Sequence, residues 1–125
     1  MLNVALVAAG GAIGSVLRYL VGVWSVRIAG GVFPWGTLIV NVVGSFLIGF
    51  LVEFIARRLN ASMEMRLFLM TGVLGGFTTF STYNLEFITL LCTGSFTYAC
   101  TYALLNIVIT FLCCFAGLII GELLF

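Results

Sequence analysis

The chain has 125 residues, 63% of them hydrophobic and only 7% charged, with a mean hydropathy of +1.32. Soluble domains carry about 25% charged residues, so this composition cannot supply a water-facing surface and a membrane protein is expected. The net charge of +1 comes from five arginines and four glutamates. With neither histidine nor aspartate, the chain lacks the commonest metal ligand and the usual general base, and it has no basic stripe for nucleic acid; an enzyme is not expected.

A membrane span needs about 20 apolar residues, and four stretches qualify. The first covers about 2–26. It has no basic leader and no small-residue cleavage site, so a retained span is expected rather than a signal peptide. Gly10, Gly11, Gly14 and Gly22 let its backbone approach a neighbour closely, as packing in lipid requires. Arg18 sits inside it, and an intramembrane charge is a functional hypothesis by default: a lure for anions, or a partner for a carboxylate. Gly30-Gly31 and Pro34, the only proline, mark a turn into the next helix.

The second stretch covers about 36–56 and carries Asn41, with Ser45 one turn later on the same face. A buried amide is costly unless partnered, so Asn41 is either glue between helices or a donor aimed into a pore. Glu53 and Arg57 are spaced for an interfacial ion pair. The residues from Arg57 to Glu64 form the most polar break.

The third stretch, about 65–91, would be roughly 40 Å long as a continuous helix, more than the membrane core demands. Its middle reads Gly75-Gly76-Phe77-Thr78-Thr79-Phe80-Ser81-Thr82-Tyr83. Paired glycines and clustered hydroxyls predict an unwound turn at mid-membrane, tolerated only when buried in protein or lining a cavity. Freed carbonyls there can hold a cation; freed N–H groups and hydroxyls can hold an anion. Glu86 follows this break as a second intramembrane charge.

The fourth stretch covers about 96–124. Tyr102, Asn106 and Thr110 recur every four residues as a polar stripe on one helix face. Nearly all of these polar groups are neutral, which suits a small anion whose water must be replaced without being trapped. Cys92, Cys100, Cys113 and Cys114 lack metal or disulfide spacing and are expected to be apolar fillers. Trp24, Trp35 and Tyr98 fall where amphipathic rings settle at membrane interfaces.

Short connections between four spans place both termini on one side. That side carries Arg57, Arg58 and Arg66, against Arg27 and the nearby Arg18 on the other. Three against two is a weak orientation bias. It leaves open whether all copies point one way or insert both ways round as an inverted homodimer.

Taken together, three strings resemble the Fluc-type fluoride channels of the CrcB family: Gly11-Ala12-Ile13-Gly14-Ser15-Val16-Leu17-Arg18-Tyr19, then Gly36-Thr37-Leu38-Ile39-Val40-Asn41, and above all Gly75 to Tyr83. The resemblance covers the whole chain. It implies an all-α, four-helix membrane protein whose third helix is broken, assembled as an antiparallel homodimer with two fluoride pathways. It also implies a structural sodium ion at the dimer centre, held by backbone carbonyls matching Gly75 and Thr78. Phe80 and Tyr83 match the ring pair of the pore, Asn41 its asparagine, and Arg18 the basic residue of the vestibule. Ser81, Thr82, Tyr102, Asn106 and Thr110 match its polar track. Two positions depart from the family's pattern: Tyr83 stands where phenylalanine is usual, and Asn106 where serine or histidine is common.

The expectation is therefore a passive fluoride exporter, multi-pass in the cell (inner) membrane of a microorganism. Asn41, Thr82, Tyr102 and Thr110 are the expected donors. The rival is a small proton-coupled exporter of cationic drugs, also with four spans and dual topology. It needs a carboxylate in its first span, where this chain has Arg18 and no acid.

Overall fold

The computed structural model describes residues 1–59 and 62–125, all helix and short connection. Of the expected 57–64 connection, residues 60 and 61 lie outside the described residues. Helix α1 spans Leu2–Ala29 and stops at Gly30, whose φ of 79° favours glycine and whose N–H donates to the Val26 carbonyl. Pro34, which cannot donate an N–H, precedes α2 at Trp35–Leu59. Ser62 caps the next helix, α3, by accepting from the Met65 N–H at 3.4 Å. Helix α3 runs over 63–77, α4 over Ser81–Cys92, and α5 over Phe96–Leu124. Gly94, with φ 81°, makes the tight turn between the last two.

Helices α1, α2 and α5 are each long and apolar enough to cross a membrane. Helices α3 and α4 are separated by Thr78–Phe80, with Thr78 extended at φ −86° and ψ 160°. The interruption falls later than the paired glycines suggest, because Gly75 and Gly76 are helical. Their smallness serves packing instead: a methyl on Gly76 would lie 3.1 Å from the Gly11 Cα, so α1 and α3 touch backbone to backbone. Gly10 and Gly72 meet in the same way.

Helix α2 packs most extensively on α5. There Gly49 faces Cys114, Gly117 faces Phe46, and Gly121 faces Phe50 and Glu53. At the end of this contact Arg57 bonds Glu53 at 2.8 Å and reaches Glu122 at 3.7 Å. The expected i,i+4 ion pair is present. Because Arg57 and Glu122 are substantially exposed, Arg57→Ala should cost less than about 1 kcal/mol, measurable as a small shift in thermal unfolding in detergent.

Wide turns with i→i+5 bonding occur at Ile55–Leu59, Leu67–Leu74 and Leu105–Ile109. A small core gathers Leu38, Tyr83, Leu90, Ala99 and Tyr102. Only 11% of the most apolar stretch of α1, and of α5, is buried within the chain. These faces meet lipid or another polypeptide.

Candidate ion-binding clefts

The interruption at 78–80 is organised by Asn41. Its Oδ1 accepts from the Thr79 N–H at 2.8 Å, and its Nδ2 donates to the Thr79 carbonyl at 2.9 Å. One amide side chain thus satisfies both backbone polar groups of a residue outside any helix, as buried backbone demands. The second Nδ2 hydrogen of Asn41 goes to Asn106 Oδ1 at 3.0 Å. Asn106 in turn donates to the Tyr102 carbonyl at 3.1 Å, and the Thr110 hydroxyl donates to the Asn106 carbonyl. Gly44 lets α2 come this close: a methyl there would lie 3.6 Å from Phe77 Cδ1 and overlap the Thr78 methyl.

Helix ends on both sides of the interruption are closed by threonines. The Thr78 N–H and hydroxyl both bond the Leu74 carbonyl at 3.0 Å, ending α3. Thr79 Oγ1 accepts from the Thr82 N–H at 3.2 Å, starting α4, and lies 3.4 Å from Ser81 Oγ. Thr79 was not among the expected site residues. Its signal was a hydroxyl three residues ahead of Thr82, the spacing of an N-cap.

These bonds release two carbonyls. In an unbroken helix Gly75 would receive the Thr79 N–H and Thr78 the Thr82 N–H. Asn41 takes the first and Thr79 Oγ1 takes the second. Gly75 and Thr78 are also the two carbonyls that the resemblance assigns to sodium. A hard cation prefers such oxygens, and unwound carbonyls are a common way of offering them inside a membrane. The donor set fits the ion.

The expected site residues fall around two clefts. The first, about 660 Å³, is lined by Asn41, Gly75, Thr78, Phe80, Tyr83, Asn106 and Thr110, with Ser45 and Cys114. The second, about 920 Å³, is lined by Arg18, Thr82, Glu86 and Thr37 among others. There the Thr37 hydroxyl donates to Glu86 at 2.5 Å. Ser81 and Tyr102 line neither cleft. Tyr102 is fully buried, and its hydroxyl has no partner among the described residues.

An aromatic series joins these places. Phe80 and Tyr83 have ring centroids 5.4 Å apart, Tyr83 and Tyr102 5.3 Å, and Tyr102 and Phe33 5.5 Å. The Phe80–Tyr83 pair is tilted by 38°, and aromatic ring edges carry partial positive charge. Phe80 is 71% exposed within the single chain, whereas Tyr83 is buried.

Comparison with known proteins decides the family. Residues 5–118 match the model described as "CrcB-like protein, Camphor Resistance (CrcB)". The chain belongs to the CrcB family. It is 63% identical over 125 residues, all of both chains, to the "Fluoride-specific ion channel FluC" of Agrobacterium fabrum. It is 57% identical to the Rhizobium meliloti protein of that name over 118 residues, 94% of each chain. With the Caulobacter vibrioides protein of the same name it shares 47% over 121 residues, 96% of this chain and 95% of the other. CrcB proteins are ion channels rather than enzymes. With its long apolar helices, this member is a multi-pass membrane protein.

Proposed function

We propose that the chain is a fluoride-selective channel that exports the ion passively and so lowers its cytoplasmic concentration. It works in the cell (inner) membrane as an antiparallel homodimer with two pores. Helices α1, α2 and α5 make three spans of each subunit; α3 and α4 together make the fourth, broken at mid-membrane. The observation that carries this reading is the open first cleft. It gathers neutral polar groups and the Phe80–Tyr83 ring pair, yet Phe80 stands largely exposed at its rim. One copy supplies a wall, and a second copy is needed to close the path. Relatives that match end to end and are named fluoride-specific channels support the choice of ion.

Fluoride holds its water tightly, so a pore must replace that water with several weak donors in sequence. The path runs past Asn41, Phe80, Tyr83, Asn106 and Thr110 of the first cleft, and the resemblance adds Ser81, Thr82 and Tyr102 as its polar track. Arg18 draws anions into the second cleft. The freed carbonyls of Gly75 and Thr78 hold sodium at the dimer centre, where a bound cation would tie the two interruptions together. Two carbonyls fall short of the six or more oxygens that hard cations such as calcium take, another reason for a second copy.

The test is fluoride efflux from proteoliposomes of the purified chain, with chloride as control. Fast fluoride efflux without a proton gradient, and none for chloride, is expected; no fluoride flux from pure protein would sink the proposal. Phe80→Ile keeps bulk but removes the ring edge. It should slow efflux at least about tenfold, equivalent to ~1.4 kcal/mol of lost anion stabilisation, while the dimer still elutes intact.

A further inference from the structure

We infer that Ser45 is a direct ligand of the permeating anion, a role that rests on the fluoride-channel reading above. Three polar side chains around the first cleft have no hydrogen left to give. Asn41 has two amide hydrogens, and both are committed, to Thr79 and Asn106. The hydroxyls of Thr78 and Thr110 are donated to carbonyls of Leu74 and Asn106. These side chains line the cleft but hold no hydrogen free for an ion.

Ser45 differs. It lies on α2 one turn after Asn41, half-buried, and lines the same cleft. Hydroxyls on helices usually return their hydrogen to a carbonyl three or four residues back. Thr89, Thr93 and Thr110 all do so here. Ser45 makes no such bond to Asn41, nor any other side-chain hydrogen bond among the described residues. Its oxygen is not enclosed by the chain, so the hydroxyl is left free to donate into the cleft. Only one hydrogen of Asn106 is committed, to Tyr102, which leaves a second donor on this cleft wall. No arginine or glutamate lines the cleft. Neutral donors without a fixed charge favour a small anion that must pass through rather than stay.

On this assignment Asn41 positions the interruption, and Ser45 meets the ion. Fluoride efflux from proteoliposomes tests it with two variants. Ser45→Ala removes the donor and should slow efflux about tenfold, as expected for one hydrogen bond to a charged species. Ser45→Cys keeps nearly the same volume with a weaker donor, and should slow efflux about three- to tenfold. Wild-type rates in either variant overturn the assignment, since cysteine at full rate would mean that volume alone matters. Should the alanine variant fail to purify as a dimer, the cysteine variant carries the same comparison. A wild-type chain that passes no fluoride would instead sink the channel reading itself, so the two failures are distinguishable.

Discussion

Asn41→Asp is expected to reduce fluoride efflux by at least about a hundredfold, roughly 2.7 kcal/mol of barrier. A carboxylate is an acceptor only. It could still take the Thr79 N–H, but would face two more acceptors, the Thr79 carbonyl and Asn106 Oδ1, now at 2.9 and 3.0 Å from Nδ2. Two hydrogen bonds become two repulsions, and the Thr79 carbonyl loses its partner. Each buried group left unpaired costs about 1–3 kcal/mol, enough to reshape 78–80 and move Phe80 from the cleft. The new negative charge also repels the anion directly. Asn41→Ala separates these effects: it breaks the same bonds without adding charge. If the interruption's shape is what matters, alanine should be nearly as inactive as aspartate. Efflux from proteoliposomes, alongside elution of the dimer, reads both, and wild-type rates for Asn41→Asp would defeat the site assignment.

Much of the architecture was legible because lipid imposes a coarse grammar. Apolar runs of span length become helices, and Gly30 and Gly94 end them where positive φ is needed. The Glu53–Arg57 pair followed from spacing alone. The interruption near Thr78 was visible within the string from Gly75 to Tyr83, but which of those residues leave the helix was not. Glycine has two uses, unwinding a helix and admitting a neighbouring backbone. Sequence does not say which until the neighbour is known, here Gly11 on α1.

The same limit applies to the polar groups. Asn41 could be glue or a donor, and the structure shows it binding the Thr79 peptide and Asn106 with every hydrogen spent. Tyr102, Asn106 and Thr110 were expected as one stripe. Asn106 and Thr110 reach the first cleft, and Tyr102 is enclosed beside Tyr83. A residue's type lists the hydrogen bonds it can make, while only tertiary packing decides which remain unmade.

Gly14→Ala should be the most damaging conservative change in α1, and it links packing to the ion path. A methyl on Gly14 would overlap the Val73 carbonyl oxygen and lie 2.8 Å from the Phe77 nitrogen and 2.9 Å from the Val73 carbon. These are backbone atoms, so no side chain can swing away. Overpacking of this kind costs about 1–3 kcal/mol, occasionally more, and here the only relief is to separate α1 from α3. Phe77 is the last helical residue before the interruption. The displacement would therefore travel into Thr78 and Thr79, loosening the bonds that Asn41 makes. Gly22→Ala is the control: nothing among the described residues lies within 4 Å of its new methyl, and alanine favours helix by about 1 kcal/mol over glycine. The yield of folded protein and the unfolding temperature in detergent should fall sharply for Gly14→Ala and hold for Gly22→Ala. Any Gly14→Ala protein that does fold should lose most of its fluoride efflux. Full efflux from that variant would show that the contact between α1 and α3 does not set the shape of the break.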